Sequence, residues 1–369
     1  MPEALATRIA AEIRDLGPIG LDRYWELALL DPAEGYYQKQ AAIGNGGDFT
    51  TAPEISQIFG ELVGLWLADR WQAGGVPGKI SYAEPGPGRG QLIDDIFRAI
   101  TAQPGFPSDI KAAVLEPSPR MQAFQAKAFA KHGIQQVEYT DHPAVLLGNG
   151  LDRLILMPAN EYLDVLPIRQ FQFNSGEWRE RRIGLDAEGG FAFVLGQEAL
   201  EPPGMDATLR FSTPAEGAIF EHSMQRDEVV GLTAIHIRER GGAALFIDYG
   251  NSTSCFGDSL QALKDGRPAN PLADPGQADI TSHVDFAAVA RSAERLSAKA
   301  WGPVDQGTFL LRLGAEARAD QLCKNASPER AAEIRHGLRR LIHPLAMGSL
   351  FKVMAITQKD AVPPPGFDL

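Results

Sequence analysis

Between the apolar run Lys79-Ile80-Ser81-Tyr82-Ala83 and the helical pattern QLIDDIFRAI stands Glu84-Pro85-Gly86-Pro87-Gly88-Arg89-Gly90, with glycines at alternate positions and an acid at the head. Glycine reaches backbone conformations closed to other residues and lets a ligand approach the main chain, while a helix N-terminus presents unpaired N–H groups beside it. Strand, glycine turn and helix in that order open a sheet whose ligand sits at the strand C-termini. A glycine turn alone constrains little, but in this context it constrains the core.

The pattern downstream keeps alternating. DIKAAVLE reads as a strand, a helix starts at about Ser118, and IQQVEY and DRLILMPAN read as two more strands. A long helix through about residues 215–239 leads to GGAALFIDYG. Short apolar strands separated by helices predict a doubly wound α/β fold with a mostly parallel sheet covered on both faces. Upstream, Thr51 and Glu54 predict a capping box, with Pro53 in the first turn and Ile55, Ile58, Phe59, Leu62, Leu65 and Trp66 on one core-facing stripe.

Two stretches interrupt the alternation. IRQFQFN, EWRERRIG and GGFAFVLG, within 167–200, predict a small antiparallel excursion. Residues 306–345 read as a helical insertion or lid, after which FKVMAIT supplies a last strand. The expected organisation is an N-terminal helical, cofactor-covering segment (1–78), a core (79–305), the helical insertion (306–345) and the last strand with its tail (346–369). The run 264–276 is expected to be a loop, and the PPPGFDL tail mobile.

Spacing separates two kinds of nucleotide. A dinucleotide turn is written G-x-G-x-x-G and sets a pyrophosphate on the helix dipole, whereas E-x-G-x-G-x-G places a carboxylate where a pyrophosphate would be repelled. Glu84 suits instead the ammonium of a methionine moiety, which points to S-adenosylmethionine held by Gly86, Gly88 and Gly90. Glu116, at the end of the second strand, is the acid expected to accept ribose hydroxyls; an ordinary solvated strand end is the plain alternative. The fourth strand leads into Asn160 and Glu161, which should face the transferred group unless they serve as a helix cap. The fifth ends at Asp248, where a turn is as good an account. His283, in DITSHVDF, is a candidate base or substrate contact, with a hydrogen-bonded structural histidine as the bland reading.

Composition excludes several classes. A net charge of -12 opposes phosphate-backbone binding and favours encounter with a cationic protein segment. Cys255 and Cys323 are too few for a zinc site or disulfide framework, so no metal is expected and a reducing compartment is. The first helix carries Glu3, Glu12 and Asp15, unlike a signal or transit peptide, and no apolar run reaches membrane-spanning length, so the cytoplasm is the expected location.

The stretches GPIGLDRYWELALLDPAEGYY, GDFTTAPEISQIFGELVGLW, EPGPGRGQLIDDI, LEPSPRMQ, ANEYLDVLPIRQF, LFIDYG, ADITSHVDFAAVA, QGTFLLRLG and MGSLFKVM, in this order, span nearly the whole chain. In them the sequence resembles the mitochondrial complex I assembly-factor arginine methyltransferases and their bacterial relatives. The resemblance implies a Rossmann-like class I methyltransferase sheet with an antiparallel last strand and helical and small β insertions. It also implies S-adenosylmethionine contacts at Gly86, Gly88, Gly90 and Glu116, with Phe49 and Thr50 of GDFTT folding over the cofactor; Asn160, at its strand end, is expected beside it. The implied substrate is a protein arginine. Its guanidinium is protonated at neutral pH, so a carboxylate must orient it and receive its proton; Glu161 is the first candidate, with Asp164 and Asp248 as helpers. Gly266 stands where relatives are expected to carry a histidine, so no role of that histidine carries over. A cofactor-binding assembly protein without turnover and a small-molecule methyltransferase are the competing readings.

Overall fold

The computed structural model describes residues 4–38, 51–148 and 152–367 of the 369. The chain divides into two compact units, each assembled from three stretches: Met1–Phe49, Asp164–Arg226 and Thr253–Ala288 form the first, and Thr50–Leu163, Asp227–Ser252 and Val289–Leu369 the second.

Among the described residues, the second unit is built on the strands β1 (Lys79–Pro85), β2 (Asp109–Leu115), β3 (Val137–Thr140), β4 (Leu154–Asn160), β5 (Gly242–Asn251), β6 (Ala298–Asp305) and β7 (Phe351–Gln358). They lie in the order β6-β7-β5-β4-β1-β2-β3. Strands β1 to β5 pair in parallel, and β7 runs antiparallel to both β5 and β6. The mostly parallel α/β sheet with an antiparallel last strand is therefore observed. Both faces of the central strands are covered, which is why Ile155, Leu156, Met157, Leu245, Phe246 and Ile247 are all buried without polar alternation.

On one face the helices Gln57–Ala73 and Gln91–Ile100 pack Leu62, Trp66, Ile93, Ile96 and Phe97 into a single core. The expected capping box is corrected here. Thr51 precedes only the one-turn helix Ala52–Ile55, and its side chain makes no cap hydrogen bond. The chain straightens at Ser56, whose hydroxyl accepts from the Ile58 N–H and starts the longer helix. Leu65, expected in the stripe, is exposed, while Ile58, Phe59, Leu62 and Trp66 of the same helix are buried.

Residues 306–345 are helical, as Gln306–Arg312, Ala315–Cys323 and Pro328–Ile342. Phe309, Leu310, Ala315, Ala319, Leu338 and Leu341 belong to the main core of this unit. The C-terminal tail, expected to be mobile, is also packed. Phe367 sits against Phe309 with ring centroids 5.4 Å apart, the Pro365 carbonyl accepts from Trp66 Nε1 at 3.2 Å, and the Gly366 carbonyl accepts from Arg312 at 3.1 Å. Three prolines limit the freedom the tail loses on docking.

In the first unit, the strands Arg169–Asn174, Glu177–Leu185 and Phe191–Ala199 occupy the stretch read as an antiparallel excursion. Ile19–Gly20 and Ile219–His222 extend this sheet at its two sides. Ile219–His222 takes the start of the expected helix, which begins only at Met224. The apolar faces of the helices Leu5–Leu16 and Leu21–Leu30 join Ile168, Ile183 and Ile280 in the core of this unit. The run 264–276 is not simply a loop: Gln261–Lys264 and Arg267–Ala269 pair antiparallel across Asp265-Gly266. Both turn residues have positive φ, 53° and 68°, the requirement of a two-residue hairpin turn.

Candidate active site

The glycine turn leaves β1 at Pro85 with φ values of 61° at Gly86, 53° at Gly88 and 80° at Gly90. The Gly86 N–H donates to the Leu115 carbonyl at 2.9 Å, which ties the turn to the end of β2, and the Gly90 N–H closes it on the Pro87 carbonyl at 3.0 Å. A Cβ at Gly90 would stand 3.2 Å from Ala128 Cβ and 3.3 Å from Gln125 Cα, so the positive φ and the packing of the helix Pro119–Ala130 both require glycine there. A Cβ at Gly86 would meet the Tyr162 ring at 3.2 Å.

Glu84 and Tyr82 alternate onto one side of β1, and the Tyr82 hydroxyl donates to Glu84 Oε2. Burial pushes the Glu84 carboxyl up to about 8, against the opposing effect of that hydrogen bond. Glu116 follows β2 directly. Burial raises its pKa, while the hydrogen bonds it accepts from Ser118 N at 2.9 Å and Gln125 Nε2 at 3.0 Å draw it back. The same Gln125 nitrogen donates to the Gly88 carbonyl at 2.7 Å. The glycine turn, Glu84 and Glu116 thus come together at the C-terminal ends of two adjacent parallel strands.

At the end of β4, Asn160 Nδ2 donates to Glu161 Oε1 at 3.0 Å, and that oxygen also accepts from the Ala52 N–H at 3.2 Å. Asn160 Oδ1 is buried and finds no partner among the described residues. Glu161 has φ 51°, a backbone strain a non-glycine residue tolerates only where its surroundings hold it. Its own N–H donates to the Ile247 carbonyl of β5 at 2.9 Å. Asp248, almost wholly buried, accepts from the Leu163 N–H at 2.9 Å and the Tyr249 N–H at 3.0 Å, a geometry that fixes the segment after β4.

Asp164 and His283 belong to the first unit, where Arg226 donates to the His283 carbonyl at 2.9 Å and to the Asp164 carbonyl at 3.4 Å. Burial and the Arg226 charge hold the His283 imidazole below its usual pKa, favouring the neutral ring. Phe49 and Thr50 lie outside the described residues. Among the described residues no cluster of His, Cys, Asp or Glu could hold a metal ion.

Sequence reasoning missed Tyr82, Gln125 and Tyr162. Each left a signal. Tyr82 precedes Glu84 by the two-residue period of a strand, Gln125 is a polar residue on the helix stripe shared by Met121, Ala128 and Phe129, and Tyr162 immediately follows Glu161.

Residues 62–304 match the family model described as "Putative S-adenosyl-L-methionine-dependent methyltransferase". The chain is 35% identical to the Protein arginine methyltransferase NDUFAF7 homolog, mitochondrial, of Drosophila melanogaster, over 96% of this chain and 84% of the relative. The chain belongs to this methyltransferase family. Another methyltransferase, Protein arginine methyltransferase NDUFAF7, mitochondrial, of Homo sapiens, is 32% identical over 94% of this chain and 81% of its own length. A crystal structure from Burkholderia thailandensis, bound to S-adenosyl-homocysteine, superposes with a TM-score of 0.81 at 27% identity, covering 99% of this chain and 92% of that one. As a member of this family the protein is an S-adenosylmethionine-dependent methyltransferase. The residues present fit the cofactor: a cradle that a Cβ would fill lies beside one buried carboxyl at its head and a second beyond β2. In this methyltransferase the glycine at 266 is explained by its left-handed hairpin turn, which a histidine would strain.

Proposed function

We propose that this methyltransferase modifies an arginine side chain of a protein, and that Glu161 is the group that orients the guanidinium and receives its proton. The observation that carries the assignment is the carboxylate of Glu161 itself. It is held at the end of β4 on a strained backbone, with one oxygen fixed by Asn160 Nδ2 and the Ala52 N–H. Strand C-termini of this kind of sheet face the ligand, and strain kept at such a place points to function. The names of the relatives, protein arginine methyltransferases from animals, support the same substrate class.

When bound, S-adenosylmethionine supplies a methyl group on a sulfonium that is already a good leaving group. The protein's work is then alignment, exclusion of water and removal of one proton. Glu84 would receive the ammonium of the methionine part, the turn Gly86–Gly90 would allow close backbone approach, and Glu116 would accept the ribose hydroxyls. Glu161 would form charge-assisted hydrogen bonds to the guanidinium, hold one nitrogen in place and take the proton that this nitrogen gives up. Asp248 holds the segment that follows Glu161 rather than moving a proton, because both its oxygens already serve backbone N–H groups.

The test is incubation with radiolabelled cofactor and cell proteins, followed by acid hydrolysis. Methylarginine in the hydrolysate supports the proposal. Label confined to an organic extract would make the acceptor a small molecule, and cofactor binding with no transfer would favour an assembly module.

A further inference from the structure

Gln125 is fully buried on the helix Pro119–Ala130, and its side-chain nitrogen uses both hydrogens. One goes to the Gly88 carbonyl at 2.7 Å, the other to Glu116 Oε2 at 3.0 Å. A carbonyl oxygen and an ionised carboxylate accept only, so the chemistry of the partners sets which end of the amide faces them. No other side chain among the described residues is recorded donating to both the glycine turn and the acid after β2. The packing is also close: a Cβ on Gly90 would stand 3.3 Å from the Cα of Gln125, so the helix lies directly against the turn. The backbone N–H of Ser118 takes the second oxygen of Glu116 at 2.9 Å, and Gln122 Nε2 donates to the Glu116 main-chain carbonyl at 2.8 Å. The carboxylate is therefore held at both oxygens and at its own backbone.

We infer that Gln125 is a positioning residue that sets the Glu116 carboxylate against the glycine turn and so determines the protein's selectivity for a nucleoside carrying ribose hydroxyls. This rests on Glu116 being the ribose acceptor. A ribose held between the turn and the acid needs both at fixed separation. One amide spanning the two is the simplest element that supplies it, because a carboxylate with a lost donor is free to rotate away from the hydroxyls.

The test compares the affinity of S-adenosylhomocysteine with that of its analogue lacking both ribose hydroxyls, by calorimetry, in the parent protein and in Gln125→Met, which keeps the volume and removes the donor. The parent is expected to prefer the hydroxylated ligand. In Gln125→Met that preference should shrink about tenfold, with the affinity for the dideoxy analogue unchanged. Equal loss for both ligands would mean simple packing damage and overturns the inference, as does full retention of the preference. If Gln125→Met does not fold, Gln125→Glu decides. Its carboxyl can donate to Glu116 only when protonated, so the preference should weaken as pH rises, and a preference independent of pH overturns the inference. A parent protein that binds S-adenosylhomocysteine with no preference removes the ribose role of Glu116 and the inference together, whereas a parent preference that survives in both variants removes the inference alone.

Discussion

The Tyr82 hydroxyl donates to Glu84 inside β1, where each of the two residues is only 1% exposed. Burial raises the Glu84 pKa to about 8, so in the free protein this carboxyl holds its proton across the neutral range. The ammonium of a bound methionine moiety would expel it. Binding of S-adenosylhomocysteine near neutral pH is therefore expected to release about one proton, and apparent affinity should rise with pH until about pH 8. Calorimetry in buffers of different ionisation enthalpy measures this directly, and Glu84→Gln should abolish the release.

The same shift predicts a stability profile for the free protein. The unfolded chain ionises Glu84 near its ordinary value of 4.5, while the folded chain keeps the proton up to about 8. The folded state binds more protons between these values, so the contribution of Glu84 to stability is fully present below the lower one and declines as pH rises toward the upper. Denaturant midpoints compared between the parent and Glu84→Gln should diverge with rising pH, the variant losing less.

Glu161→Gln keeps the shape and the hydrogen bond from Asn160 but cannot take a proton. Turnover is expected to fall about 100-fold or more, with cofactor affinity within about twofold of the parent. Single-turnover kinetics and calorimetry on the same preparation separate the two. Unchanged turnover would remove Glu161 from proton transfer.

Gly90→Ala should lower stability by about 1–2 kcal/mol through left-handed strain, and somewhat more through the contacts of the new Cβ with Ala128 and Gln125. Cofactor affinity should fall with it, because the strain is relieved only by opening the turn. Melting temperature with and without ligand reports both effects.

Phe367→Ala tests the docked tail. Removing a buried aromatic that packs on Phe309 is expected to cost about 2–4 kcal/mol in chemical denaturation. A mobile tail would make the substitution neutral.

Much of this was legible in the chain. The strand–turn–helix around Gly86–Gly90, the parallel run from Lys79 to Asn251 and the acids at 84 and 116 follow from local pattern, because strand period and glycine chemistry are short-range properties. What escaped depends on partners distant in sequence. Ile19–Gly20 becomes a strand only by pairing with Arg182 and Ile183, and the fate of the proline tail depends on a ring at 309. The helix break at Ser56 was hidden because an Ile-rich stripe continues across it. The role of Gln125 depends on partners 9 and 37 residues away, Glu116 and Gly88.

Neither compact unit is a continuous length of chain, and this sets the order in which the protein can be made. The core of the second unit includes Ala52 near one end and Phe367 near the other, while the first draws on Leu5 and on Ile280. A ribosome must therefore deliver the chain as far as Ile280 before the first interior can close and nearly the full polypeptide before the second can, and apolar strands such as β1 and β4 wait unburied in the meantime. Products terminated before Ile280 have neither core complete, which makes them natural clients for chaperones and proteases.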